Sequence, residues 1–146
     1  MKKRLFYFSF LFLFLYSCNT DTNEQQVNGV SSESDLDAAR NFIRAALDGD
    51  YETGKKIMLI DSVNFQYFAE YEKMHMKLNS EEKRKFRQSS INVHALTPIN
   101  DSTTIIIYSN SYKKDQDTLK LLKTNGQWVV DLKYLFNPEA DTIQQH

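Results

Sequence analysis

The chain has 146 residues, with 18 basic and 19 acidic side chains for a formal charge of −1, four glycines, two prolines and a single cysteine. That composition excludes repeat arrays, low-complexity segments and disulfide frameworks, and the absence of a basic excess argues against nucleic acid as a partner. The length suits one domain with a sizeable core.

Lys2, Lys3 and Arg4 precede an apolar run from Leu5 to Tyr16 that only Ser9 interrupts, and the small Ser17 stands just before Cys18. A cationic start, an apolar middle and a small residue at the end make a secretory signal. The run is about a dozen residues, against the roughly 20 that a membrane-spanning helix needs. Leu15-Tyr16-Ser17-Cys18 resembles the lipobox of bacterial lipoproteins, although Tyr16 stands where a small residue is usual. The resemblance implies that residues 1–17 are removed, that the Cys18 thiol receives a diacylglycerol and that the new amino terminus takes a palmitate-type chain. It further implies an outer-membrane lipoprotein of a gram-negative cell envelope, facing the periplasm or the outside. About two membrane signals suffice for stable anchoring. The alternative is an ordinary signal peptide with an incidental cysteine. The mature chain then has 129 residues and, with 15 basic against 19 acidic groups, a formal charge of −4. With Cys18 acylated no thiol is left for a disulfide, a nucleophile or a metal site, and neither a metal nor a cofactor is expected.

Residues 18–33 are polar and without periodicity, which reads as a flexible tether. Helical spacing begins after Ser34, a good N-cap, with Asp35 and Asp37 placed to complement the helix dipole. Leu36, Ala39, Ile43 and Ala46 form a stripe, Phe42 and Leu47 widen it, and Gly49 in Asp48-Gly49-Asp50 ends it. A short helix capped by Asp50 should run from Tyr51 to about Leu59. Gly54 inside it costs roughly 1 kcal/mol relative to alanine, so the helix is either closely packed or frayed. A third helix starts at Asp61 or Ser62 and carries Tyr67, Tyr71, Met74 and Leu78 as an expected core stripe, with Phe65, Phe68 and His75 beside it. Asn79-Ser80-Glu81-Glu82 is a capping signature for a fourth helix to about Ser89, whose Lys83, Arg84, Lys85 and Arg87 form a solvated face beside the two glutamates.

From Ile91 the period becomes two. Ile91, Val93, Ala95, Thr97 and Ile99 are expected on one face, with Asn92, His94 and Leu96 on the other. Asn100-Asp101-Ser102 is a turn, Thr103 to Tyr112 a second strand with Ile105, Ile106 and Ile107 consecutive, and Leu119 and Leu121 mark a third. Asn125-Gly126 signals a type I′ hairpin, where both positions need positive φ. The fourth strand is expected to point Trp128, Val130, Leu132 and Tyr134 inward, and Val129, Asp131 and Lys133 outward. Asn137-Pro138 stops it, and 137–146 reads as a frayed tail.

Helices followed by an antiparallel meander give an α+β domain over 34–136. The α-α-α-β-β-β-β order, Asp48-Gly49-Asp50-Tyr51 with Lys55 and Lys56, and Asn125-Gly126-Gln127-Trp128-Val129-Val130 resemble the NTF2-like (cystatin-like) superfamily. Within it they resemble most the small lipoprotein domains described as DUF4878-like. That resemblance implies a cone in which three to four helices and a curved sheet of about four strands enclose a pocket. Expected pocket residues are Phe42, Tyr67, Phe68, Tyr71, His94, Tyr108 and Trp128, with a small apolar or aromatic molecule as ligand.

Three roles fit. The first is a non-enzymatic module that binds a small molecule or a protein, favoured because no metal-ligand spacing, paired nucleophile and base, or phosphate loop is present. The second is an isomerase- or cyclase-like enzyme with His94 as base, oriented by Asp131, Asp101 or a pocket tyrosine. The third is a structural homodimer through the sheet, resting on the outward members of Ile105 to Ile107.

Overall fold

The computed structural model describes residues 34–136. The signal segment, Cys18, the tether and the tail from residue 137 lie outside the described residues. The element order is α1 (Asp35–Asp48), α2 (Tyr51–Ile57), α3 (Ser62–Met76), α4 (Ser80–Gln88), β1 (Ile91–Asn100), β2 (Thr103–Asn110), β3 (Asp117–Thr124), β4 (Gln127–Asp131) and a short α5 (Lys133–Phe136). The four strands form one antiparallel sheet in sequence order, and α1 lies across all of them. This is the α+β arrangement of helices packed on a four-stranded antiparallel sheet. Among the described residues no helix is long and apolar enough to cross a membrane.

Local chemistry sets each helix boundary. The Ser34 hydroxyl accepts from the Asp37 amide at 3.1 Å, and Gly49, at φ 76°, closes α1. Asp50 and Asp61 cap α2 and α3 through the amides of Thr53 and Asn64. Asn79 and Glu82 complete a reciprocal capping box on α4. The hairpin between β3 and β4 turns at Asn125 and Gly126, both with positive φ.

The core lies between α1 and the inner sheet face. Ala38, Ala39, Phe42, Ile43 and Leu47 of α1 meet Ile106, Leu119, Leu121 and Val130, with Ile57, Met58 and Phe68 closing one end. Each large apolar side chain fully buried there contributes roughly 1.5–3 kcal/mol. Leu59 then donates its amide to Val130 at 2.8 Å, so the chain leaving α2 runs along the β4 edge.

Three expectations are corrected. In β1 the register shifts between Val93 and Ala95. Ile91 and Val93 therefore pair with Asn110 and Tyr108 on the inner side, while Ala95 and Thr97 pair with Ile107 and Ile105 on the outer side. One inserted residue flips the side chains that follow it, here as far as a second shift between Pro98 and Asn100, which alternation alone does not reveal. In α3 the buried positions are Asn64, Phe68 and His75, with Phe65 and Met74 exposed. The stripe is rotated because Asn64 and His75, polar in type, find hydrogen bonds inside. The fourth strand ends at Asp131, and Leu132 onward turns into α5. Asp131 is buried, not outward. Asn64 explains both facts: its Oδ1 accepts from the Leu132 amide at 2.7 Å and its Nδ2 donates to Asp131 at 3.2 Å.

Candidate functional site

A cavity of about 190 Å³ opens between α1, α3, α4 and the inner face of the sheet near its β2–β3 end. Phe42, Ile43, Ala46 and Leu47 form the α1 wall, and Phe68, Tyr71, Met74 and His75 the α3 wall. Tyr108, Asn110 and Asp117 come from the sheet, and Phe86, Leu78, Leu132 and Leu135 fill the corners. The exposed Met74, Lys113 and Asp117 mark the mouth.

The loop between β2 and β3 is held as a wall of this cavity. Asn110 Oδ1 accepts from the amides of Tyr112 at 3.0 Å and Lys113 at 2.9 Å, so the side chain of a buried asparagine turns the chain. Tyr112 then meets Phe86 edge-on at 5.0 Å between centroids. Lys85 stands 5.7 Å from the Tyr112 ring and Lys113 stands 5.9 Å from the Phe86 ring, adding two cation–π contacts between α4 and the loop.

Two groups of polar atoms punctuate the apolar lining. At the α3 end, the Tyr51 hydroxyl bonds His75 Nδ1, and the His75 ring stacks on Tyr71 at 6.4 Å and tilts against Phe86 at 6.4 Å. Its Nε2 is buried without a partner. Burial, then the nearby charges of Lys83 and Arg87, hold the His75 pKa below its usual value, so the ring is neutral near pH 7.

At the sheet end, Tyr108 and Asp117 are direct cross-strand partners and both line the cavity. Directly opposed residues place their Cβ atoms about 4.5–5.5 Å apart. Burial pushes the Tyr108 phenol up, with the Asp117 and Tyr71 charges adding to it. Burial likewise raises the Asp117 carboxyl, against the opposing field of Lys113. Tyr71, pushed up to about 12 mainly by burial, donates to the Ala46 carbonyl at 3.0 Å and keeps its lone pairs free to accept.

Of the residues expected at a pocket, Phe42, Phe68, Tyr71 and Tyr108 meet on this wall. Tyr67 and Trp128 pack against the core elsewhere. His94 is the residue inserted at the β1 bulge; it is exposed, with Nε2 2.8 Å from the Ser109 hydroxyl, and does not line the cavity. Asp101 is exposed in the β1–β2 turn and Asp131 is bound to Asn64, so neither faces His94 as an orienting group. Sequence reasoning missed His75, Asn110 and Asp117 as wall residues. His75 was within reach, four residues beyond Tyr71 on the same helix face; Asn110 and Asp117 depend on the pairing of β2 with β3. Among the described residues no group of His, Cys, Asp and Glu is placed to hold a metal ion.

Comparison with known protein families yields no match. Comparison with curated proteins yields none either. Among solved structures, the chain is similar to an NTF-2-like protein of unknown function from Shewanella oneidensis MR-1. The identity is 12%, the match covers 65% of this chain and 89% of that one, and the TM-score is 0.48.

Proposed function

We propose that this chain is a lipid-anchored cell-envelope protein whose NTF2-like domain binds a small molecule without chemical turnover. The observation that carries the reading is the Tyr108–Asp117 pair, two polar side chains brought together on a largely apolar cavity wall. An apolar cleft with a few convergent polar groups is the usual form of a small-molecule site. Tyr108 is half-buried and Asp117 exposed at the mouth, so both can exchange water for a ligand's polar atoms. The anchor rests on the cationic, apolar and small-residue succession that ends at Cys18. Acylation there keeps the cavity at the membrane surface.

The test is native mass spectrometry of the protein purified gently from its own host. A copurifying small molecule supports the reading. Protein that is always empty, and that gains no mass from a panel of small aromatic and acyl compounds, removes it.

A second reading, protein interaction through a homodimer, draws on the outer sheet face. Ile105, Ile107, Leu122 and Val129 share that face by register and are all only half-buried. Light scattering that finds only monomer at micromolar concentration eliminates it.

A further inference from the structure

We infer that the cavity recognises a monocyclic aromatic molecule bearing one neutral hydroxyl, held between Tyr108 and Asp117; the inference rests on the small-molecule reading above and names its ligand class. Size gives the first restriction. A cavity of about 150 Å³ lined by Leu, Ile and Phe is enough to hold benzene. At about 190 Å³ this one encloses a single ring with one or two substituents, whereas a fused polycycle or a long acyl chain would extend out through the mouth.

The lining gives the second restriction. Phe42, Phe68 and Tyr71 supply ring faces and edges, Phe42 and Phe68 being 6.1 Å apart and tilted by 57°. A flat aromatic body fits between such walls better than a charged or branched one.

The polar pair gives the third. Asp117 offers acceptor oxygens, and Tyr108 offers a donor hydroxyl directly across the strand pair. Tyr71 has already spent its proton on Ala46, so toward the cavity it only accepts. A ligand hydroxyl satisfies this set, because it donates to the Asp117 carboxylate while accepting from Tyr108. A ligand carboxylate does not: it places a second negative charge beside Asp117 and brings no proton. An apolar ring without a polar atom fills the space and bonds neither group.

The experiment compares p-cresol, toluene and benzoate by titration calorimetry and ligand-observed NMR on the full chain carrying Cys18→Ser, so that no acyl chain competes. Tyr108→Phe and Asp117→Asn are measured beside it. The expected result is that p-cresol binds more tightly than toluene and benzoate least of all. Each substitution should weaken p-cresol by roughly three- to tenfold, the equivalent of one hydrogen bond, and leave toluene within about twofold. Toluene binding doubles as the check that each variant is folded. Equal binding of p-cresol and toluene, unchanged by either substitution, overturns the hydroxyl assignment and leaves the cavity reading standing. Benzoate binding more tightly than p-cresol also overturns it, with Lys113 and not Asp117 setting the charge preference. Failure of every ring to bind overturns the cavity reading and this inference together.

Discussion

The Tyr51 hydroxyl and His75 Nδ1 lie 2.5 Å apart, joining the start of α2 to the end of α3 beside Gly49. A Cβ on Gly49 would stand 2.9 Å from His75 Cε1, so the turn after α1 is glycine both for its φ of +76° and for the ring it must admit. The bonded, enclosed imidazole is neutral near pH 7, its pKa lowered first by burial and then by Lys83 and Arg87. The unfolded chain gains a proton near pH 6.5, before the folded protein does. The contribution of His75 to stability is therefore complete above about pH 6.5 and is lost as the pH falls through the lowered value. Urea midpoints should drop between pH 7.5 and pH 5 in the natural protein and stay flatter in His75→Phe. Equal slopes in the two proteins would show that His75 does not govern this window.

Gly54 packs its bare backbone against Phe68. An added Cβ would lie 2.8 Å from Phe68 Cζ and 3.1 Å from Cε2, and that ring is buried against Phe42 and Tyr51. Gly54→Ala gains about 1 kcal/mol of helix propensity and loses about 1–3 kcal/mol to overpacking. The net expectation is destabilisation, read as a lower urea midpoint with an unchanged slope. A stabilised Gly54→Ala variant would mean that α2 moves aside at little cost.

Asn64 is buried and fully engaged, donating to Asp61 at 2.9 Å and Asp131 at 3.2 Å and accepting from the Leu132 amide at 2.7 Å. Asn64→Leu keeps the volume, strands the Leu132 amide in the interior and leaves the buried Asp131 carboxylate with Lys133 alone. A loss of about 2–4 kcal/mol is expected, with early hydrogen exchange at Leu132. Amide protection at Leu132 equal to that of the natural protein would contradict the role given to Asn64.

Asp61 is held at about 2, first by the hydrogen bond from Lys133 at 2.8 Å and then by the Asn64 amide. Its stabilising effect is present above about pH 4, where the unfolded carboxyl ionises, and is lost as the pH falls toward 2. Because both side chains are partly exposed, solvent screens the pair and the effect is modest. Lys133→Met should raise the pH of the acid-unfolding midpoint. An unchanged midpoint would assign acid sensitivity to other carboxyls.

Cys18→Ala should leave the protein without acyl chains and move it out of the membrane fraction. Mass spectrometry of the mature chain and fractionation of the cells read the two effects separately. Retention in the membrane fraction would replace the lipid anchor with another form of attachment.

The helix starts and the hairpin turn were legible in the sequence because they depend on neighbours along the chain. Ser34, Asp50, Asp61 and Asn79 each cap within three residues, and Asn125-Gly126 closes its hairpin with two positive φ angles. Alternation likewise located the strands, and with the helices they gave the α+β class. Part of the cavity wall was legible only through the resemblance: Phe42, Phe68, Tyr71 and Tyr108, expected there on that ground, line the cavity.

The tertiary structure decided what the periodicities left open. A one-residue bulge in β1 moved Ala95 and Thr97 to the outer face and placed His94 away from the cavity, and nothing in the local pattern specifies such an insertion. The burial of Asn64 and His75 required partners from β4 and α2, distant in sequence. Asp117 gained its place beside Tyr108 only through the register of β2 against β3. Capping, turns and periodicity act over a few residues and are written in the chain. Register, and the polar groups that become affordable to bury, are settled only when distant segments meet.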